Sequence, residues 1–368
     1  MKPELRFLEF EENWSYKKLK DLLKVHSGRD YKHLEPGEIP VYGTGGYMLS
    51  VSDYLSNDDA IGIGRKGTIN KPYLLKAPFW TVDTLFYCTP WEEVDLYFLL
   101  SLFKKINWEK YDESTSVPSL SKVNIEKLKV YSCELEEQRK IGDFFSKLDR
   151  QIELEEQKLA KLEEQKKGYM QKLFSQELRF KTKDNVYYSE WQLHKLGEIF
   201  KYSQGKQISV DKQFSVKSNE MKRFIRIVDI TENPEPRFVL YESDTGLVNK
   251  EDLFMIRYGR PGIVSIGFEG IIANNLFKLI PKIKISTVYF YYLLSYNYYR
   301  INLLTNQSTM PALNFKSLDS LKFKIPSYKE QNKIGNFFTK FDELIEKQNK
   351  KIDGLKERKK GLLQKMFV

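Results

Sequence analysis

The chain has 368 residues and a net charge of +10 at neutral pH, with 41% hydrophobic and 14% aromatic residues. That length and apolar content suffice for two or three domains with real cores, which excludes a disordered or fibrous class. Cys88 and Cys133 fit no metal-ligand spacing and no disulfide framework, and His26, His33 and His194 are too scattered for a metal centre. With no basic-plus-apolar leader at Met1 and no apolar run long enough to span a bilayer, the sequence predicts a cytoplasmic protein without membrane association.

In chain order, β-prone stretches at residues 60–63 and 80–88 lie between Gly, Asn and Pro turns, and a helix-like segment over residues 95–110 follows. From Glu137 to Phe174 the chain reads EQRKIGDFFSKLDRQIELEEQKLAKLEEQKKGYMQKLF, an amphipathic helix. β-prone stretches then return at residues 223–228 and 271–280, with a second helix-like segment over 287–303. From Glu330 to Phe367 it reads EQNKIGNFFTKFDELIEKQNKKIDGLKERKKGLLQKMF, identical to the first helix at 20 of 38 positions without a gap. A repeat at this level decides the architecture.

The apolar residues of both helices follow alternating steps of four and three. Ile141, Phe145, Leu148, Ile152, Leu159 and Leu162 form the first seam; Ile334, Phe338, Phe341, Ile345, Ile352 and Leu355 form the second. Glu155 and Lys166 interrupt the first, and Gln348 and Lys359 interrupt the second at matched positions. A 3.5-residue period marks a coiled-coil seam, where polar interruptions fix register and partner. The helices are therefore expected to pack on each other, antiparallel, rather than to dock separately on their own domains.

The repeat reaches beyond the helices. Residues 116–130 align with residues 309–323, Pro118 falling on Pro311. Gly64-Arg65-Lys66-Gly67 matches Gly259-Arg260-Pro261-Gly262, Trp14 matches Trp191, and Glu4-Leu5-Arg6-Phe7 matches Glu177-Leu178-Arg179-Phe180. The fold class read from this is α+β. Two globular domains, at residues 1–133 and 177–327, are separated by a long antiparallel two-helix coiled coil, at residues 134–176 and 328–368, in a pseudo-twofold internal repeat.

Two dissimilar α+β domains, each followed by a helix opening on EQxKIGxFFxKxD and closing on KKGxxQKxF, resemble the specificity subunit of type I restriction-modification enzymes over essentially the whole chain. The resemblance implies two target-recognition domains and a subunit that is not an enzyme. It implies double-stranded DNA as one partner, with two methyltransferase subunits and, in the full complex, restriction-translocase subunits as others. No cofactor is expected in this chain; S-adenosylmethionine, ATP and Mg are expected on the partner subunits. A specificity subunit of a methylation-only or fused restriction system would read the same way, and a coiled-coil scaffold that never touches DNA is the reading from another class.

Geometry supports a two-headed reader. A 38-residue helix is about 57 Å long, so paired helices could set the non-specific spacer of a bipartite, asymmetric target. The basic excess lies almost wholly in residues 177–368, while residues 1–176 are close to neutral. Base readout needs Arg or Lys for guanine, Asn or Gln for adenine, and loops that reach the groove. In the first domain Tyr42, Thr44 and Gly45, then Arg65, Lys66 and Thr68, and Ser114 and Ser116 fit that need. In the second, Lys206, Gln207, Arg226, Asp229, Tyr258, Arg260, Gln307, Ser308 and Thr309 do. Phe144 and Phe337, off the seam, are candidates either for methyltransferase docking or for packing on their own domains. No catalytic set is apparent: Gly43-Thr44-Gly45-Gly46 lacks a dinucleotide context, and Asn233-Pro234-Glu235-Pro236 reads as a turn rather than a methyltransferase motif.

Overall fold

The strands of the chain's first half recur, sheet for sheet, in its second. The computed structural model describes residues 1–232, 234–243, 245–305 and 311–368. It divides into unit 1, Met1–Lys158 with Gln348–Val368, and unit 2, Leu159–Lys347.

Unit 1 contains β1 (Ser15–Lys18), β2 (Leu23–Ser27), β3 (Pro36–Gly43), β4 (Gly46–Val51), β5 (Ala60–Gly64), β6 (Tyr73–Leu75), β7 (Trp80–Thr81), β8 (Leu85–Pro90), α1 (Leu96–Lys105), α2 (Lys122–Lys127) and β9 (Lys129–Ser132). Helix α3 (Leu135–Phe174) follows and continues into unit 2. One sheet has the order β2-β8-β5-β6, a second β4-β3-β7, and β1 pairs with β9. Every residue of β5 is buried, as expected of a strand covered on both faces. Its Ile61 and Ile63 join Val25, Phe86, Phe98, Phe103 and Trp108 in the main core. The stretch expected as one strand over residues 80–88 is broken between β7 and β8, where the Arg65 amide hydrogen-bonds the Thr84 carbonyl.

Unit 2 contains β10 (Gln192–Lys195), α4 (Leu196–Ile199), β11 (Phe200–Gln204), β12 (Met221–Ile225), α5 (Ile227–Thr231), β13 (Arg237–Leu240), β14 (Leu247–Val248), β15 (Leu253–Ile256), β16 (Val264–Ser265), β17 (Gly270–Ile272), β18 (Leu276–Pro281), α6 (Thr287–Tyr296), α7 (Tyr298–Asn302), α8 (Phe315–Ser320) and β19 (Lys322–Ile325). Helix α9 (Tyr328–Met366) closes it and continues into unit 1. The sheets β11-β18-β15-β16 and β13-β12-β17-β14, and the pair β10-β19, repeat those of unit 1 with β14 added. The segment expected as a strand over 223–228 changes to helix after Ile225.

The shared helix motif is explained by what it touches. Glu137 and Glu330 are fully buried. Glu137 accepts from Arg6 at 2.7 and 2.8 Å and from the Trp14 indole at 3.2 Å. Glu330 accepts from Arg179 at 3.4 and 3.0 Å and from Trp191 at 3.1 Å. The next residue links strand end to helix start: Gln138 receives the Asp95 amide and donates to the Cys133 carbonyl, while Gln331 receives the Ser286 amide and donates to the Pro326 carbonyl. The glycine that follows admits a close neighbour, since a Cβ on Gly142 would stand 2.2 Å from Asp95 Oδ1.

Within each unit the helices pair antiparallel, and the seam interruptions find partners. In unit 1, Gln348 donates to the Glu155 carboxylate at 2.6 Å, and Lys359 pairs with Asp149. In unit 2, Lys166 pairs with Asp342, which also accepts from the Tyr292 hydroxyl at 2.6 Å. Ile141, Phe145, Ile152, Ile334, Phe338 and Ile352 are buried along this seam; Leu148, Leu159, Leu162, Phe341, Ile345 and Leu355 are half-buried. The aspartate of the KxD sequence thus faces the lysine of the KKG sequence on the other helix, which keeps a charge in the seam compensated.

Candidate nucleic-acid interface

In unit 1 three of the expected segments meet. Strands β3 and β4 turn tightly through Thr44 and Gly45, with Gly46 at φ +106°, a backbone that favours glycine. The Tyr73 hydroxyl anchors this tip by donating to the Gly43 carbonyl at 2.6 Å. A Cβ on Gly67 would find Thr44 Oγ1 at 3.8 Å, so the tip lies beside the Gly-Arg-x-Gly turn. That turn pairs in its own right with the proline segment: the Gly67 amide donates to the Pro118 carbonyl and the Leu120 amide to the Arg65 carbonyl. Asp112 shapes the same segment by accepting from the Ser114 and Ser119 amides, each at 2.9 Å, and these bonds hold its carboxyl below the usual carboxylate range.

Arg65, Lys66, Gly45 and Ser116 are exposed, and Tyr42, Thr44, Thr68 and Ser114 half-buried. Arg65 sits over the Phe86 ring at 5.7 Å. Basic, hydroxyl and flexible glycine groups are therefore displayed together on a framework of buried strands.

Unit 2 builds the same junction, but three residues earlier than the sequence match placed it: Arg257-Tyr258-Gly259, and not Arg260-Pro261-Gly262, takes the place of Arg65-Lys66-Gly67. The Gly259 amide donates to the Pro311 carbonyl, the Leu313 amide to the Arg257 carbonyl, and Tyr258 bridges to Ala312. Ile227 lies 3.4 Å from the place of a Cβ on Gly259, so the connection after β12 abuts this turn as the β3–β4 tip abuts its own. The connections themselves differ. Where unit 1 uses the two residues Thr44 and Gly45, unit 2 uses residues 226–236, with α5 in them.

Asp229 is corrected from a candidate base contact to a support. Its side chain is fully buried, and it accepts from Arg226 Nε at 2.8 Å, the Arg226 amide at 2.9 Å and Arg223 at 3.4 Å. Arg226 also donates to the Glu235 carbonyl at 3.2 Å and keeps 24% of its side chain exposed. Arg260 is exposed, with Glu232 at 3.8 Å. Tyr258 lies under the Arg257 guanidinium at 4.9 Å, and Lys206 is half-buried with its amide on the Ile272 carbonyl. Gln207, Ser308 and Thr309 separate here: Gln207 is exposed beside Asn274, whereas Gln307, Ser308 and Thr309 lie outside the described residues.

Sequence reasoning missed Arg237, Asn274 and Asn275. With Gln207, Gln213 and Arg226 they line a cleft of about 480 Å³. They come from β13 and the β17–β18 turn, far apart in sequence; the match of Asn275-Leu276-Phe277 to Thr84-Leu85-Phe86 was the only signal near them. A second cleft of about 810 Å³ is lined by Lys217, Lys222, Arg223 and Lys278, with Asp252 and Glu269 also present.

Phe144 is half-buried against Phe7 at 6.0 Å and Phe145 at 5.3 Å. Phe337 is packed by Phe180 at 5.5 Å and Tyr169 at 5.3 Å. Both rings therefore make contacts within their own units. Among the described residues, no group of His, Cys, Asp and Glu is arranged to hold a metal ion, and no helix is long and apolar enough to cross a membrane.

The sequence matches the profile of the type I restriction modification DNA specificity domain over residues 11–164 and again over 188–357. Two curated relatives come from Methanocaldococcus jannaschii. The type I restriction enzyme MjaVIII specificity subunit is 26% identical over 183 residues, covering 49% of this chain and 42% of that protein. The protein named for the MjaX specificity subunit is 28% identical over 290 residues, covering 74% and 67%. The matched region therefore spans less than half of the first relative's length. Among solved structures, the S subunit of a type I restriction-modification system from M. genitalium aligns over 100% of this chain and 99% of its own, with a TM-score of 0.69 and 19% identity. A chain from a structure of complex assembly and conformational transition in the type I R-M system aligns over 97% and 98%, with a TM-score of 0.58 and 15% identity. At these identities the two structures speak for the fold. The family profile covers both units, and the chain belongs to the type I restriction-modification DNA specificity family.

Proposed function

We propose that this chain is the non-catalytic DNA-reading subunit of a type I restriction-modification complex, each unit reading one half of a bipartite, asymmetric target. One observation carries the reading. The junction of strand-end turn and proline segment is built alike in both units, Arg65-Lys66-Gly67 in one and Arg257-Tyr258-Gly259 in the other, while the connection seated beside it differs in length and chemistry, Thr44 and Gly45 against residues 226–236. A shared frame bearing unlike tips is what two different half-sites require.

The paired helices would set the spacer, and their outer faces, rich in Glu and Lys, would receive two methyltransferase subunits, with restriction-translocase subunits joining through these. S-adenosylmethionine, ATP and Mg belong to those partners, and the chain would act in the cytoplasm. Replacing residues 226–236 with a two-residue turn and sequencing the methylome of the host is the test. A change confined to one half-site is expected. Unchanged methylation, or a change in both half-sites, would refute the assignment. The scaffold alternative predicts no salt-dependent binding of the chain to a random duplex pool.

A further inference from the structure

We infer that Asp229 is the positioning residue of the second unit's reader, fixing Arg226 on the wall of the amide-lined cleft so that Arg226 reads a guanine of that unit's half-site. This deepens the DNA-reading proposal and rests on it.

A buried carboxylate is expensive to desolvate, and a buried ion pair is weak evidence of stabilisation. Asp229 is fully buried and carries both Arg223 and Arg226. What this arrangement provides is direction. Arg226 is the residue between β12 and α5, its amide and Nε both held by one oxygen of Asp229 and an Nη held by the Glu235 carbonyl. Two of its five side-chain N–H donors are thereby spent on orientation, and the guanidinium plane is fixed without being covered, since it lines the cleft and remains partly exposed.

The rest of the lining is apolar at Ile208, Val210, Phe224 and Ala273, basic at Arg237 and otherwise amide, with Gln213 donating to the Ile208 carbonyl and Asn274 to Gln207. Gln207, Gln213, Asn274 and Asn275 supply amides, the groups that pair with adenine, and Arg226 supplies the fork that pairs with guanine O6 and N7. Asn275 Oδ1 is buried without a hydrogen-bond partner among the described residues. Arg226 also stands one residue past the middle strand's last shared pairing, the register position of Gly43 beside the Thr44 tip in unit 1.

The test uses the full chain, in complex with its methyltransferase subunits, and a random duplex pool sequenced after selection. Arg226→Gln and Arg226→Lys should each relax one guanine position of one half-site by roughly 5- to 150-fold, the other half-site unchanged. Asp229→Asn should relax the same position, Asp229→Glu should restore part of the preference, and the salt dependence should stay as it was. In an Arg226→Gln background, Asp229→Asn should add little. Uniform weakening at every position after Asp229→Asn would make it merely structural and overturn the inference, as would retained guanine preference in both Arg226 variants. If the wild-type complex selects no sequence at all, the DNA-reading proposal itself falls, a result distinct from either.

Discussion

Arg6 grips Glu137 with two hydrogen bonds, 2.7 and 2.8 Å long, and Arg179 grips Glu330 at the matched place in the other unit. Each glutamate is fully buried and also receives a tryptophan indole. Three segments are thereby tied in each unit: the Leu-Arg-Phe stretch, the tryptophan before the first strand, and the start of the long helix. Truncating one partner of such a pair leaves a buried charge uncompensated, at about 3–5 kcal/mol. Glu137→Ala and Glu330→Ala are each expected to lower the unfolding free energy from urea titrations by that order. The Arg6→Met, Glu137→Leu double variant should recover much of the loss, because the charge is then absent from both sides.

The glycines of the helix motifs should respond differently to alanine. At Gly142 a Cβ would collide with Asp95 Oδ1 at 2.2 Å and the Phe98 amide nitrogen at 2.8 Å, whereas at Gly168 and Gly361 it would meet nothing within 4 Å. Gly142→Ala must displace the capped start of α1 and is expected to destabilise by about 1–3 kcal/mol. Gly168→Ala and Gly361→Ala should stabilise by about 0.5–1 kcal/mol through helix propensity. Thermal melts of the three variants decide the matter, and equal effects at all three sites would contradict it.

How far the sequence could be read follows from these contacts. The Pro118–Pro311 match was visible as a repeat, and in both units that segment is hydrogen-bonded to the turn after the central strand; the Gly-Arg-x-Gly match placed that turn three residues too late in unit 2, because the likeness of Gly259–Gly262 to Gly64–Gly67 masks the pairing of Arg257 and Gly259. The interruptions Glu155 and Lys166 were visible as breaks in a seam, but their partners Gln348 and Asp342 depend on the antiparallel register, which one strand of text does not carry. The burial of Asp229 was not legible, because the chain changes from a strand ending at Ile225 to a helix starting at Ile227 and so turns this carboxylate back onto Arg223 and Arg226. Arg237 and Asn274 were missed because only the sheet β13-β12-β17-β14 brings them near Arg226.

Acid should weaken unit 1 through Asp149. Burial raises this carboxyl, but the ammonium groups of Lys104 and Lys359 lower it more in sum, so its folded value lies below the ordinary one. A depressed folded value means a stabilising contribution that is complete above the unfolded value of about 3.9 and is lost as pH falls through the folded value. Asp149→Asn should therefore cost about 1–2 kcal/mol at pH 7, discounted because 38% of the side chain is exposed. The gap between wild type and variant should close as pH falls through the acid range. A pH-independent gap in thermal melts would show that the ion pair is not its origin.

The last expectation concerns the helices as a spacer. Within unit 1 the paired contacts run through Glu155 with Gln348 and Asp149 with Lys359; within unit 2 they run through Lys166 with Asp342 and Tyr169 with Phe341. The division between units falls after Lys158 on α3 and after Lys347 on α9. A heptad inserted at both points leaves every one of these contacts inside its own unit and preserves the 3.5-residue phase of the seam. Each helix lengthens by about 10.5 Å, the rise of about three base pairs. Methylome sequencing should then return the same two half-sites with a longer spacer. Inserting four residues instead turns the seam out of phase and should abolish modification. Altered half-sites in the heptad variant would mean that the helices shape the readers and do not merely separate them.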